Sequence, residues 1–412
     1  MNQEYHRRKD QLLKLADHFL SETFSKSFCD AYVADTAFVR NDVYKREILT
    51  PAALLKIPRE DESFLQDRKP LGTVVVMIPK NSLGLTLAKA IASSYLMGNK
   101  TIIYFPGQLK ATAPVYANAI LKFLDNVEIA DGNQTSAQFM RSSLNNPDVK
   151  AIVIYGDDSW IDAYKSLAAE TKTKIIFEGP GNDPMVVMPD ANIDAAVAGA
   201  IEGGLNNGGQ SCSAIERYFI HEDILEVFAE RLIASLRKLS CGSPRKEDTD
   251  IGPIASRIIF NRIVKQLEES VRMGAVLRYG GNIIMDETTG FPVIVPAVLT
   301  ACTIEMPLVA NETFGPVFPL ISFRSIEELM PMLDATKYGL NACIYGNAPK
   351  ELLDYLKSTH RNFYQNSTCV SPVNLSSRLM DGGFRRSGII WNFDREPVES
   401  AGIRNLAMEL SN

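Results

Sequence analysis

The chain has 412 residues, of which 46% are hydrophobic and 22% are charged, and its formal net charge is −6. A chain of this length predicts two domains, or three at most. The composition is typical of a globular enzyme. Because no basic stripe is present, a nucleic acid is not expected as a partner.

Cysteine and histidine usage gives no sign of a metal site. The six cysteines form no C-x-x-C pair, and none of the four histidines lies at metal-ligand spacing from a cysteine. Scattered single cysteines suit a reducing compartment. The first residues are charged and lack the apolar core of a signal peptide, and no apolar run is long enough to span a bilayer. We therefore expect a cytoplasmic protein without a metal and without membrane contact.

The first part of the chain predicts an amphipathic helix followed by alternating strands and helices. Apolar positions at helical spacing predict a single helix over 5–25. Continuous β-branched runs, as in TVVVMIP, are typical of parallel strands buried on both faces. The predicted strands lie at 73–79, 101–105, 127–130, 151–156 and 174–179. The predicted helices lie at 84–97, 113–125 and 135–143, with another after 156. This alternation predicts a doubly wound parallel sheet, which binds ligands beyond the carboxyl ends of its strands.

A second alternating series follows. The predicted helices lie at 193–206, 223–238, 254–273, 325–335 and 349–358. The predicted strands lie at 217–221, 275–279, 293–299, 317–322 and 342–346. The fold class is therefore α/β, with a doubly wound cofactor domain over 1–179 and a second α/β catalytic domain over 180–390. We expect the last segment, 391–412, to return to the first domain or to form an oligomerisation strand.

The segment 205–212 reads Leu-Asn-Asn-Gly-Gly-Gln-Ser-Cys and carries the main chemical signal. Its two glycines, Gly208 and Gly209, permit backbone geometry that is closed to other residues. Cys212 follows this turn between two serines. For an isolated cysteine, the ordinary interpretation is a buried and inert thiol.

This segment resembles the FxNxGQxC signature around the nucleophile of aldehyde dehydrogenases, with Leu205 where the family usually has an aromatic residue. Other family blocks resemble segments of this chain in the same order, across residues 70–390. They are LELGGKxP at 177–184, G-x-P with T-x-x-GP at 241–253, EEIFGPV at 311–317, YGL at 337–340 and FGGxKxSG at 382–388. The chain thus resembles a divergent, N-terminally short member of the aldehyde dehydrogenase superfamily.

The resemblance implies three catalytic residues. Cys212 would be the thiolate nucleophile, which suits attack on an aldehyde carbon. The side-chain amide of Asn81 and the backbone N–H of Cys212 would stabilise the oxyanion. Glu178 would activate the water that hydrolyses the thioester. The product would be a carboxylic acid, and a nicotinamide dinucleotide would accept the hydride.

The resemblance also implies a set of cofactor contacts. Glu312 would bind the nicotinamide ribose, and Phe314 would pack near the nicotinamide ring. The other implied cofactor-binding residues are Ile78, Pro79, Lys80, Tyr104, Gly156, Asp157 and Trp160.

The adenosine end departs from the family pattern. Tyr104 stands where the family has a ribose-binding lysine, Gly107 replaces a glutamate, and Ile161 replaces the second glycine of the phosphate turn. Asp157 replaces a serine near the pyrophosphate, where its charge is repulsive unless it turns away or is paired. The two acidic residues at this turn, 157 and 158, favour NAD over NADP, although the choice stays open.

Polar residues occupy positions that resemble the substrate tunnel. Lys80 and Ser82 flank Asn81 in place of aromatics, and Asp381 replaces a phenylalanine. These positions predict a small or polar aldehyde, charged aldehydes included, because a large apolar one would lose burial against such a wall. The family's oligomerisation hairpin is compressed or missing around 55–70. The tail NLAMELSN can still pair as an edge strand, and a homodimer is expected.

Two alternatives remain open at this point. The first is a CoA-acylating dehydrogenase or an acyl reductase, against which Glu178 argues because a thioester passed to CoA needs no water-activating base. The second is a non-catalytic family member with a binding or scaffold role. The altered adenosine end favours it, and the presence of Asn81, Glu178 and Cys212 opposes it.

Overall fold

The computed structural model describes residues 2–57, 67–379, 382–393 and 406–411. Its N-terminal part is helical, but the single helix predicted over 5–25 is wrong. Two helices, Asn2–Phe19 and Glu22–Thr36, meet at Ser21, whose extended backbone and side-chain oxygen cap the second helix at Phe24 N. Such a cap ends one helix and begins another. A further helical stretch, which was not predicted, comprises Arg40–Val43, the π-helical turn Tyr44–Leu49 and Thr50–Lys56.

The first sheet contains the predicted parallel strands. Within the described residues its strands are β1 (Thr73–Met77), β2 (Lys100–Tyr104), β3 (Val127–Ile129), β4 (Val149–Tyr155), β5 (Lys174–Glu178) and β17 (Gly388–Trp391). Their spatial order is β17-β5-β4-β1-β2-β3, and only β17, which was not predicted, runs antiparallel to its neighbour. Gly388 lies opposite Glu178 in that pair.

Helices cover both faces of this sheet. They are Leu83–Thr86, the π turn Leu87–Ile91, Ala92–Leu96, Thr112–Phe123, Ser136–Leu144, the 3-10 turn Ile161–Tyr164 and Lys165–Thr171. In β1, Val74 and Val76 pack into one buried cluster, whereas Val75 and Met77 pack into another. The strand is therefore buried on both faces, which explains why its sequence is continuously apolar.

The second sheet is also mainly parallel. Its described strands are β6 (Asp183–Val187), β7 (Ile215–His221), β8 (Val276–Tyr279), β11 (Ala297–Thr300), β12 (Val317–Phe323), β14 (Asn341–Tyr345) and β15 (Asn362–Gln365), in the spatial order β15-β14-β6-β7-β12-β11-β8. Short pairs form beside it, β9 (Ile283–Met285) with β10 (Pro292–Ile294) and β13 (Tyr338–Gly339) with β16 (Phe384–Arg385). The helices of this part are Ile193–Gly204, Glu222–Ile224, Leu225–Leu236, Arg257–Arg272, Pro307–Ala310, Ile326–Asp334, Lys350–Thr359 and Pro372–Leu379.

Several predictions about this second part need correction. The strand predicted over 293–299 is two strands, β10 and β11, which belong to different sheets. Pro296 lies at the break, where it cannot donate a backbone hydrogen bond. The strands β6 and β15 were not predicted. Both are short, and β6 contains a proline that obscures its strand pattern.

The predicted boundary near residue 180 falls between strands of different sheets. The C-terminal segment begins to return to the first sheet at β17, slightly earlier than the predicted limit of 390. The tail is not the expected edge strand, because Leu406–Glu409 is a short helix and Ser411 forms only an isolated bridge with Pro70. Most of the compressed hairpin region and Asp381 lie outside the described residues. None of the described helices combines the length and apolarity needed to cross a membrane.

Candidate active site

The three predicted catalytic residues line one cavity. Glu178 is the last residue of β5, and Asn81 lies in the loop that follows β1. Cys212 lies between the helix Ile193–Gly204 and β7. The cavity thus lies at the carboxyl ends of β1 and β5, the expected edge of a doubly wound sheet.

The turn before Cys212 adopts the left-handed backbone geometry that its glycines allow. Asn207, Gly208 and Gly209 have φ angles of 60°, 61° and 77°. A Cβ atom on Gly209 would lie 2.3 Å from the carbonyl oxygen of Gly315, so the turn packs too closely against that loop for any side chain. This packing fixes the backbone position of the turn that precedes Cys212.

Glu178 lies beside the thiol. Its Oε1 is 3.9 Å from the Sγ of Cys212, and its Oε2 accepts a hydrogen bond of 2.7 Å from the N–H of Gly382. The Nζ of Lys89 lies 3.7 Å from the same Oε2. Burial raises the pKa of the Cys212 thiol, Glu178 raises it further, and Lys89 acts in the opposite direction. The surroundings of Cys212 therefore disfavour the thiolate, and a carboxyl group lies beside the thiol.

Sequence reasoning missed Lys89. The residue lies in the π turn Leu87–Ile91, where its neighbours Leu87, Ala88, Ala90 and Ile91 are buried. A lysine within such an apolar segment could have indicated a buried ion pair, because a buried lysine is usually paired with a carboxylate.

Asn81 is held against the loop that carries Cys212. Its side-chain Nδ2 donates to the carbonyl oxygen of Gln210 at 3.4 Å, and Asn207 Nδ2 donates to the same oxygen at 3.1 Å. An amide nitrogen carries two hydrogens, so Asn81 retains a second donor beside the nucleophile loop.

The predicted cofactor contacts fall into two neighbouring groups. Glu312, Phe314, Gly156 and Asp157 line the cavity that contains Cys212. A second cavity, at the ends of β1, β2 and β4, is lined by the other group: Ile78, Pro79, Lys80, Tyr104 and Trp160. Both cavities include Pro79 and Tyr155, so they adjoin each other. The predicted cofactor residues thus line two cavities that share part of their walls.

Tyr104 does not offer its hydroxyl to this site. The side chain is 2% exposed, stacks on Phe139 and donates its hydroxyl to the carbonyl oxygen of Gln134 at 2.9 Å. It can therefore serve only as an apolar wall. Lys80 is half-buried in the same cavity, and burial lowers the pKa of its ammonium group.

Asp157 and Asp158, in the turn that follows β4, differ in exposure and in their partners. Asp157 is exposed at the cavity and accepts the N–H of Ser159 at 2.8 Å. Asp158 is buried and paired with Lys337 at 3.1 Å and with Arg386 at 3.0 Å. Burial opposes ionisation of Asp158, but the two cations outweigh it and lower the pKa of this carboxyl. Its charge is therefore compensated away from the cofactor cavity.

A second carboxylate, Glu216, supports the loop that contains Glu312 and Phe314. It accepts hydrogen bonds of 2.7 Å from the N–H groups of both Thr313 and Phe314 and thereby holds Phe314 at a φ of 59°. Glu312 lies 3.7 Å from Arg262, and burial raises the pKa of Glu312 well above its usual value. Neither Glu216 nor Arg262 was identified from the sequence. Among the described residues, no group of three or more His, Cys, Asp or Glu side chains could hold a metal ion.

Comparisons with known proteins identify the family of this chain. The sequence model of the aldehyde dehydrogenase family matches residues 5–398. A Mycobacterium tuberculosis protein named succinate-semialdehyde dehydrogenase (NADP+) 1 is 30% identical over 340 residues, or 82% of this chain and 71% of that protein. The Mycobacterium leprae succinate-semialdehyde dehydrogenase (NADP+) is 28% identical over 337 residues, again 82% of this chain and 71% of that one.

Solved structures show the same two-domain fold. Lactaldehyde dehydrogenase from Escherichia coli superimposes with a TM-score of 0.83 and 21% identity, covering 99% of this chain and 86% of that one. Betaine aldehyde dehydrogenase from Staphylococcus aureus, determined with NAD+, gives a TM-score of 0.84 and 19% identity, covering 100% of this chain and 84% of that one. The chain therefore belongs to the aldehyde dehydrogenase family, whose members oxidise aldehydes with a nicotinamide cofactor.

Proposed function

We propose that this chain oxidises a small polar or charged aldehyde to a carboxylic acid through a thioester on Cys212. The observation that carries the proposal is the 3.9 Å approach of the Glu178 carboxylate to the Cys212 thiol within a cavity that also contains Asn81. A nucleophile, a base and an amide donor in one cleft are the groups that acyl chemistry requires.

Each residue has a distinct task in this proposal. Glu178 takes the thiol proton, and the Cys212 sulfur attacks the aldehyde carbon. The Asn81 amide and the Cys212 backbone N–H stabilise the resulting oxyanion, and each donor is worth roughly 3–4 kcal/mol. A bound nicotinamide cofactor supplies the hydride acceptor. After Glu178 releases the thiol proton to solvent, it removes a proton from water, and the resulting hydroxide attacks the thioester carbon. The acid leaves, and Glu178 returns the second proton to the Cys212 thiolate.

The residues present fit a nicotinamide dinucleotide. A Cβ atom on Gly156 would meet only the Trp160 ring, at 3.7 Å, so the turn leaves room for a phosphate group near its backbone. Glu312 and Phe314 line the cavity that contains Cys212 and are the residues proposed to hold the nicotinamide end. Lys80 lines the adjoining cavity, where its positive charge suits a phosphate.

We propose NADP as the preferred cofactor, which reverses the preference for NAD drawn from the two acidic turn residues. The two mycobacterial relatives are named for NADP+. The preference for NAD assumed that both acidic residues repel the additional phosphate of NADP. Asp158 no longer supports this assumption, because it is paired with Lys337 and Arg386 rather than directed to the cavity. Asp157 alone remains at the cavity wall.

A polar substrate is supported by a further cavity that Cys212 also lines. The polar neutral residues that line this cavity include Ser82, Asn206, Ser211, Ser213, Asn341 and Asn362. The names of both mycobacterial relatives specify a carboxylate-bearing aldehyde, succinate semialdehyde. Lys80, which was also predicted to line the substrate tunnel, lies instead in the cofactor cavity.

The position of Glu178 supports hydrolysis over acyl transfer to coenzyme A, and the shared cavity of the three residues supports catalysis over a scaffold role. We also retain the homodimer and the cytoplasmic location as proposals; light scattering would test the first.

The test is a screen of NADH and NADPH production across short aliphatic, aromatic, amino- and carboxy-aldehydes, with Cys212→Ala as the blank. The proposal expects turnover of small polar aldehydes, with a higher kcat/KM for NADP than for NAD and no signal from the blank. Turnover that depends on coenzyme A would replace hydrolysis by acyl transfer. Long-chain aliphatic aldehydes as the best substrates would refute the substrate class.

A further inference from the structure

A buried arginine lines the same cavity as Cys212. Arg46 belongs to the π turn Tyr44–Leu49, and its side chain is buried, with 8% of the residue exposed. Its Nη1 has no hydrogen-bond partner among the described residues. A buried guanidinium nitrogen without a partner is costly, because it has lost its hydration without gaining a replacement.

The charges around this cavity favour an anion. Its charged lining residues are Arg46, Lys89 and Glu178, so cations outnumber anions. Lys89 already lies 3.7 Å from Glu178, the single acidic residue among the described residues that line the cavity. Burial raises the pKa values of Asp42 and Glu47 and the charge of Arg46 acts to lower them, but neither of these residues lines the cavity. A planar guanidinium forms two parallel hydrogen bonds with a carboxylate, a geometry that a lysine does not reproduce.

The position of Arg46 is fixed relative to the catalytic loop. The adjacent Glu47 accepts the backbone N–H of Gly84 at 2.5 Å, in the helix that follows Asn81. A Cβ atom on Gly84 would lie 2.7 Å from the carbonyl oxygen of Glu47 and 2.5 Å from Pro51, so the two helical segments pack in direct contact. Glu47 is thus engaged with backbone rather than with the cavity, and the π turn holds Arg46 at the wall that faces the substrate.

We propose that Arg46 is a specificity-determining residue, which binds a carboxylate at the end of the substrate opposite the aldehyde. The inference rests on the proposed function and deepens it, since it names the substrate class as short aldehydes with a terminal carboxylate. The aldehyde carbon then lies at Cys212 while the carboxylate lies at Arg46.

The test compares Arg46→Met with the wild type on succinate semialdehyde and on butanal, its uncharged counterpart. Arg46→Met lowers kcat/KM for succinate semialdehyde about 100-fold, since a charged hydrogen bond is lost, and leaves kcat/KM for butanal within about threefold. Arg46→Lys restores part of the loss because it retains the charge without the planar fork. Arg40→Met is the matched control. Arg40 lies in the same helical stretch but pairs with Asp30 outside the cavity, and its removal leaves both substrates unchanged.

A second measurement does not depend on a folded variant. Succinate at millimolar concentration slows alkylation of wild-type Cys212 by iodoacetamide, and butyramide at the same concentration does not. Equal losses on both substrates, no loss on either, or equal protection by the two compounds would overturn the role of Arg46. Wild-type enzyme that oxidises butanal as well as succinate semialdehyde would refute this inference alone, whereas no oxidation of any aldehyde would refute the proposed function.

Discussion

Replacement of Glu178 by glutamine separates the two effects that this carboxylate has on Cys212. The negative charge lies 3.9 Å from the sulfur and raises the pKa of the thiol, after the larger effect of burial. Glutamine removes the charge but keeps an oxygen that can accept the Gly382 N–H. We therefore expect a more reactive thiol in an enzyme that turns over more slowly.

The size of the first effect follows from the geometry. Two unit charges about 4 Å apart interact by about 4 kcal/mol at an effective dielectric constant of about 20. The substitution removes this repulsion and therefore lowers the pKa of the thiol. Lys89, which lies 3.7 Å from Glu178, also lowers the pKa of the thiol. Once the carboxylate is removed, the Lys89 charge is no longer shared with Glu178 and stabilises only the thiolate.

Two assays follow these changes. The rate of Cys212 alkylation by iodoacetamide, measured from pH 6 to 10, has its midpoint at lower pH in Glu178→Gln than in the wild type. Rapid mixing with aldehyde and cofactor gives a burst of about one reduced cofactor per site, followed by a steady state that is slower by a factor on the order of 10²–10⁴. An unchanged alkylation profile together with unchanged turnover would refute the assignment of Glu178 as base.

Three further predictions concern other residues. Asn81→Ala lowers kcat by about 10²–10³ with little change in KM, as steady-state kinetics can show, and a loss below tenfold would contradict the oxyanion role. Glu312→Gln raises the Kd for the cofactor about tenfold in a fluorescence titration, and an unchanged Kd would remove Glu312 from the cofactor site. Asp158→Asn destabilises the protein at pH 7 by about 2 kcal/mol, because Lys337 and Arg386 lose their shared carboxylate. The pKa of Asp158 is lowered in the folded state, so its contribution is present above the unfolded pKa of about 4 and is lost as pH falls through the lower folded value. The difference in melting temperature between the wild type and this variant therefore shrinks in acid, and a difference independent of pH would contradict the pairing.

The buried strands and the nucleophile turn could be predicted because their signals are local. The apolar run of β1 reflects burial on two faces, and Gly208 and Gly209 reflect the φ angles of the turn that they form. The grouping of Asn81, Glu178 and Cys212 in one cavity was also expected from the sequence, because all three lie in segments that resemble family motifs.

What could not be predicted depends on contacts between distant parts of the chain. Asp158 was expected to disfavour a further phosphate, but Arg386, which lies far along the sequence, compensates its charge. The strand β17 is defined by its pairing with β5 rather than by its own pattern. Arg46 belongs to a helical stretch whose sequence gives no sign that it packs beside the loop of Asn81. In each case, the role of the residue or strand depends on tertiary contacts that the neighbouring sequence does not indicate.

The most direct test of the account is to find where the substrate becomes covalently attached. Glu178→Gln is mixed with a short polar aldehyde and cofactor, quenched in acid, digested and analysed by mass spectrometry. The account predicts an acyl group on the peptide that contains Cys212, and no such adduct when Cys212 is also replaced by alanine. An adduct on another residue, or wild-type rates from Cys212→Ala alone, would contradict it.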